Sequence, residues 1–234
     1  MLRELENMGI HRLITFDAHD PRIQNVVPLM GVENVSPALQ FTQAILTEYE
    51  DLTLDSRHMM FIAPDEGATG RVVFLASLFG VSIGMFYKRR DYTRIVDGTN
   101  PVIAHNFCGG DVKGKDVIII DDMIASGGSM LDTARQLKEM GSSRVFVLST
   151  FGLFTSGLEK FDKAYQDGWF DRIFTTNLIY QMPELKERPW YFSVNMDRYI
   201  AALIDTINKG CSPQELVKPG TRIRQMIDLY TSAD

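Results

Sequence analysis

The chain has 234 residues, 45% of them hydrophobic and 23% charged, with a formal net charge of −6. That length buries a full core as one large domain or two small ones, and the acidic balance argues against a broad nucleic-acid-binding face, which needs basic surface. No apolar run reaches the length of a membrane span, the charged opening "MLRELENMGIHR" lacks the apolar centre of an export signal, and Cys108 and Cys211 stand in neither metal nor disulfide spacing, which suits a reducing cytoplasm.

In chain order, "HRLITF" (11–16) reads as a strand and Ala38–Tyr49 as a helix. "HMMFIAP" (58–64) is a strand, Gly70–Phe79 a helix and "VSIGMFY" (81–87) a strand. "DVIIID" (116–121) is a strand followed by a helix over Ser129–Met140. "RVFVLSTF" (144–151) is a strand, Leu158–Gln166 a helix and "RIFTT" (172–176) a short strand. Arg198–Asn208 has helical apolar spacing at Ile200, Leu203, Ile204 and Ile207. Strands alternating with helices give βαβ units, hence an α/β fold with a mostly parallel sheet flanked by helices. The unbroken apolar run Val117–Ile120 fits a strand buried on both faces. In such sheets ligands sit beyond the carboxyl ends of the strands. Asp17, Asp65 and the pair Asp121–Asp122 all fall at such ends.

The long stretch from Tyr87 to Asp116 shows no helical period. Such connections are functional lids or conceal a hairpin. "IVDGTNPVIAHNF" (95–107) can supply a hairpin turning at Asp97-Gly98, preceded by the basic "KRRDYTR".

"VIIIDDMIASGGSM" (117–130) carries the clearest chemistry. A Gly- and Ser-rich loop between a strand and a helix exposes backbone N–H groups, and the positive end of the helix points at the same place. Gly127 and Gly128 allow close approach or positive φ. Ser126 and Ser129 add hydroxyls, and Ser129 is a candidate helix cap. Adjacent carboxylates suit vicinal hydroxyls or Mg²⁺. A phosphate at one end and a diol at the other describe a ribose 5-phosphate. "GDVKGKD" (110–116), with Gly109 before it, nearly makes a P-loop over Gly109–Lys115, but Asp116 stands where a metal-binding Ser or Thr belongs, and the segment precedes a strand. It reads as a surface turn.

"VIIIDDMIASGGS" resembles the phosphoribosyl-pyrophosphate motif of type I phosphoribosyltransferases, a family that includes ribose-phosphate pyrophosphokinase. Three further stretches resemble the pyrophosphokinase: "ITFDAHDPRIQN" (Ile14–Asn25), "IAPDEGATGR" (Ile62–Arg71) and "FYKRRD" (Phe86–Asp91). The likeness continues through "RVFVLSTFGLFTSG" towards the C-terminal helices. It implies a reaction in which the diphosphoryl group of ATP passes to the C1 hydroxyl of ribose 5-phosphate, with Mg²⁺ as cofactor. It also implies a homo-oligomer, dimer or hexamer, in the cytoplasm, with no nucleic-acid or membrane partner. By the same resemblance Lys88 and Arg90 stabilise the transition state, and Arg90 also binds substrate. His19 and Asp65 sit at the Mg²⁺-ATP site. Asp121 and Asp122 hold the ribose hydroxyls, and Ala125, Ser126, Gly127, Gly128 and Ser129 hold the 5-phosphate. Each has a plainer alternative: His19 as a turn histidine, Asp65 as a cap, and Lys88 to Arg90 as a solvated charge run.

Against that family, residues 1–36 resemble the end of an N-terminal domain whose earlier part is absent, and residues 37–234 the C-terminal domain. An unpaired edge and an exposed half-core near Ile10–Val35 are then expected. Ala125 replaces the Asp usual in the pyrophosphokinase loop, and serines replace its threonines, which is closer to a plain phosphoribosyltransferase. "DYTRIVDGTN" departs from the Pro- and basic-rich continuation of the catalytic loop. Three readings follow: the pyrophosphokinase or its catalytic portion, a phosphoribosyltransferase, and a non-catalytic sugar-phosphate-binding regulator. The expectation is binding of ribose 5-phosphate with slow or no turnover by the isolated chain.

Overall fold

The computed structural model describes the backbone of residues 1–90 and 102–232, and the side chains of all of these except 88–90, 102–105 and 215. The elements in order are α1 (Leu2–Asn7), β1 (Arg12–Phe16), a 3-10 turn (Pro21–Val26), β2 (Gly31–Val35), α2 (Ala38–Glu48) and β3 (Met59–Ala63). A second 3-10 turn (Glu66–Ala68) leads into α3 (Thr69–Phe79), β4 (Ser82–Arg90), β5 (Val102–Gly109), β6 (Asp116–Ile124) and α4 (Gly128–Glu139). Then come β7 (Val145–Gly152), α5 (Glu159–Gln166), β8 (Arg172–Thr176), α6 (Pro183–Lys186), β9 (Tyr191–Val194), α7 (Asp197–Asn208), α8 (Gln214–Val217) and α9 (Gly220–Thr231).

Seven strands form one sheet in the order β5-β4-β3-β6-β7-β8-β9, parallel throughout except for the antiparallel β4–β5 pair. The central strands are apolar on both faces because helices cover both. In β3, Met59, Phe61 and Ala63 belong to one core and Met60 and Ile62 to the other. In β6, Ile118 and Ile120 face the first core, and Val117 and Ile119 the second. This is the two-residue alternation of a strand, with no polar position in either phase. The first core is closed by α2, α3 and α9, the second by α4 and α5. α3 stops where Gly80 takes φ 68, the left-handed conformation that ends a helix.

The expected strands and helices all form, with boundary shifts that matter. β6 runs on to Ile124, so both aspartates lie within the strand end and not beyond it. β4 extends to Arg90 and itself pairs with β5, Lys88 opposite His105 and Arg90 opposite Val102. The described antiparallel pair is thus β4 with β5; the expected Asp97-Gly98 turn and its first strand lie outside the described residues. "GDVKGKD" is a turn, with Gly114 at φ 71 donating its N–H to the Gly141 carbonyl at 2.8 Å.

β1 and β2 pair parallel in a small sheet of their own. Its half-core is not bare. Val35 is buried with Met196, Tyr199 and Leu203 of the α7 region, and Ile14 and Phe16 pack against the same cluster. Leu29 and Met8 remain exposed. β2, β9 and the short α6 and α8 have no clear period in sequence, since each spans five residues or fewer. Among the described residues no helix is long and apolar enough to cross a membrane.

The β4–β5 hairpin is seated by Phe107 lying over Gly84. A Cβ on Gly84 would stand 2.5 Å from the Phe107 ring and 3.0 Å from Ile62 Cδ1. Gly84→Ala is expected to lower the unfolding free energy by about 1–3 kcal/mol through overpacking. Urea denaturation checks this, and Phe107→Leu in the same chain should return part of the loss.

Candidate active site

β3 leads to β4 on one side of the sheet and β6 leads to β7 on the other, although β3 and β6 are themselves neighbours. The helices that follow these two strands also leave on opposite faces: α3 packs in the first core and α4 in the second. A crevice opens where connections diverge in this way. Asp65 follows β3 and Asp121–Asp122 end β6, so the topology alone brings three carboxylates to one mouth. His19 and the loop Ala125, Ser126, Gly127, Gly128 and Ser129 join them around a cavity of about 230 Å³. Strand alternation continues past the apolar run. It turns Asp122 towards the face of α3, where Arg71 Nη2 lies 3.6 Å from Asp122 Oδ2.

The acidic pair is not symmetric. Burial, reinforced by the neighbouring Asp122 and by Asp65, pushes the Asp121 carboxyl up to about 7. Burial also acts on Asp122, but the hydrogen bond from His19, the contact with Asp121 and the charge of Arg71 outweigh it and hold that carboxyl below the usual range. His19 Nδ1 lies 2.7 Å from Asp122 Oδ2, and this bond raises the imidazole pKa. One carboxylate is thus kept ionised and paired while its neighbour is poised near neutrality.

The two loop glycines serve different ends. Gly127 has φ 79 and starts α4, and a Cβ there would run into the Phe161 ring from α5. A Cβ on Gly128 would meet nothing within 4 Å, so that position opens onto free space. No side chain caps α4. Ser129 lies inside the first turn and not at the cap, because left-handed Gly127 begins the helix one residue earlier than the sequence suggests. The N–H groups of the first turn are left facing the crevice, the arrangement that binds anions.

Asp65 realises its plainer role and keeps its place in the cavity. Its carboxylate accepts the Gly67 N–H at 3.1 Å as cap of the 3-10 turn. Lys88 and Arg90 stand on the backbone of β4, which continues past its last pairing with β3, Ala63 with Met85, on the same end of the sheet as Asp65. Their side chains lie outside the described residues. Sequence reasoning misses Arg71. Its signal is a cation in the first turn of α3, where the helix dipole disfavours positive charge. Among the described residues no three His, Cys, Asp or Glu side chains form a ready cation cage.

Residues 38–181 match the profile of the phosphoribosyl transferase domain. The chain belongs to this family. Within it, this phosphoribosyl transferase domain protein is 34% identical over 175 residues to a ribose-phosphate pyrophosphokinase of Thermococcus kodakarensis, covering 74% of this chain and 55% of the relative. It is 28% identical over 205 residues to one from Vibrio parahaemolyticus, covering 87% and 60%. The chain therefore spans a little over half the length of the curated relatives it matches. A crystal structure of phosphoribosylpyrophosphate synthetase from Mycobacterium smegmatis shares the fold, with a TM-score of 0.71 at 23% identity over 88% of this chain and 61% of that one.

Two outcomes test the site's physics. Because the Asp121 carboxyl sits above its unfolded value, its contribution to stability is full below about pH 4 and is lost as pH rises through 7. Asp121→Asn should therefore stabilise the metal-free protein by about 1–3 kcal/mol at pH 8 and by much less at pH 5, as read by urea unfolding at both pH values. Gly127→Ala combines a left-handed backbone with a clash on Phe161 and should destabilise by about 2–4 kcal/mol; calorimetric unfolding measures it.

Proposed function

We infer that this chain carries the ribose 5-phosphate site of a ribose-phosphate pyrophosphokinase. In this reading the diphosphoryl group of ATP passes to the C1 hydroxyl of ribose 5-phosphate, giving 5-phosphoribosyl 1-pyrophosphate and AMP. The observation that carries it is the meeting of an uncapped, glycine-opened helix start with Asp121 and Asp122 in a single crevice of a phosphoribosyl transferase domain. The names of the relatives give the reaction class.

The chemistry follows from placement. The first turn of α4, with Ser126 and Ser129, holds the 5-phosphate, and Asp121 and Asp122 accept from the ribose hydroxyls. The C1 oxygen then attacks the β-phosphorus in line. The β-phosphorus bond to the bridging oxygen breaks, AMP leaves with that oxygen, and the hydroxyl proton passes to solvent. Such transfers depend on alignment and charge neutralisation. Lys88 and Arg90 are assigned to the neutralising role, on a strand that ends beside the crevice.

Mg²⁺ fits this donor set. Burial and like charge leave Asp121 short of compensation beside Asp65, and oxygens of the substrate phosphates and water would complete the shell that Mg²⁺ prefers. Asp65 and Asp121 would hold it. His19 spends Nδ1 on Asp122, so its part in the metal-ATP site is through its second nitrogen or through orientation. When bound, the ion would offset charge on the diphosphate.

We read residues 1–36 as the end of a further domain and 37–234 as the sugar-phosphate domain, in a cytoplasmic homo-oligomer. The second reading, a phosphoribosyltransferase consuming phosphoribosyl pyrophosphate, is favoured by Ala125 in the loop. The third, a sugar-phosphate-binding regulator, shares the cradle without the transfer.

Titration calorimetry with ribose 5-phosphate is expected to show binding to the wild type. Asp121→Asn plus Asp122→Asn should weaken it by about 100- to 10,000-fold, since each charged hydrogen-bonding group contributes about 1.5–3 kcal/mol. Formation of AMP from ATP and ribose 5-phosphate supports the first reading. Pyrophosphate release from phosphoribosyl pyrophosphate with a free base supports the second, and wild type that binds no ribose 5-phosphate sinks all three.

A further inference from the structure

Arg71 sits where six polar groups from four parts of the chain converge. Thr150 Oγ1, on β7, donates to Asp17 Oδ2 at 2.6 Å. Asp17 Oδ1 accepts from Arg71 Nε at 2.7 Å. Arg71 Nη1 donates to the Gly67 carbonyl at 3.3 Å, and Nη2 to the Ala18 carbonyl at 3.4 Å. Nη2 also lies 3.6 Å from Asp122 Oδ2, and that same oxygen is paired with His19 Nδ1 at 2.7 Å. The Arg71 side chain is 17% exposed, Asp17 11% and Asp122 5%.

Three features separate this arginine from one that binds substrate. Each of its guanidinium nitrogens already meets a protein acceptor, so an incoming phosphate would have to displace one. It stands in the first turn of α3, against the helix dipole, a position explained by the two carboxylates it bridges. And it holds Asp17, a non-glycine residue at φ 42, in a conformation that costs about 1–2 kcal/mol. That strained residue turns the chain so that Ala18 and His19 reach over the crevice. Arg can fork between two partners in fixed directions, as Lys cannot.

We propose that Arg71 is a positioning residue, which fixes the Asp17–Ala18–His19 turn and the Asp122 carboxylate against each other and so sets the geometry in which the sugar hydroxyls and His19 meet. This rests on the proposed function for what is positioned, but the positioning has its own readout. With histidine ring carbons labelled, the His19 signal, identified by its loss in His19→Gln, should shift or broaden in Arg71→Gln while those of His11 and His58 stay in place. Asp17→Asn should reproduce that change, and the double variant should add nothing to it. Affinity for ribose 5-phosphate, by calorimetry, should fall about 10- to 50-fold in Arg71→Gln, and Arg71→Lys should recover part of the affinity without restoring the His19 signal. An unchanged His19 signal in both Arg71→Gln and Asp17→Asn overturns the proposal. Wild type that fails to bind ribose 5-phosphate overturns the functional reading, and the histidine signal still decides the role of Arg71.

Discussion

The crevice depends on where charge is left uncompensated at the end of a strand buried on both faces. Val117–Ile120 can lie between two helical layers because nothing polar interrupts them. Two aspartates directly after that run must find partners at the sheet end, where water and neighbouring segments can reach. Asp122 finds them in His19 and Arg71 and stays ionised. Asp121 has too few, and burial beside another carboxylate shifts it towards neutrality. A site of this kind is sensitive to any ligand that brings hydroxyl donors or positive charge, because either relieves a penalty already present in the empty fold.

Backbone and side chain divide the work of shaping the crevice. The β6–α4 end of the crevice is made by peptide groups, and Phe161 lies under Gly127 there. Phe161 in turn belongs to an aromatic cluster with Phe154 and Trp190. The acidic end is made by carboxylates whose orientation depends on side chains from the β1 end, α3 and β7. The loop thus rests on the second core, while the acidic end is held by ion pairs.

Much of this is legible in the residues. The strand–loop–helix around Asp121 stands out because an apolar run, an acidic pair and a glycine pair follow one another closely. The alternation of strands and helices is enough to place Asp17, Asp65 and Asp122 at strand ends on one side of the fold. The limits have physical reasons. Ser129 is a good capping residue, but the helix begins where Gly127 takes a positive φ, and a side chain there is excluded by Phe161 more than thirty positions away, which leaves no local mark. Arg71 is hidden because its partners are 54 and 51 positions distant in opposite directions. β2 carries Glu33 and Asn34 towards its end, and only its pairing with β1 makes it a strand.

The antiparallel β4–β5 pair closes one rim of an otherwise parallel sheet. Parallel crossovers in the main sheet have to thread a helix back across a face, so their length is tied to the cores. β4 and β5 are instead adjacent strands running opposite ways. Because β5 lies at the edge of the sheet and meets only β4, replacements along it leave the register of β3 and β6 untouched. Sequence can therefore diverge along this rim while the crevice between β3 and β6 is inherited unchanged.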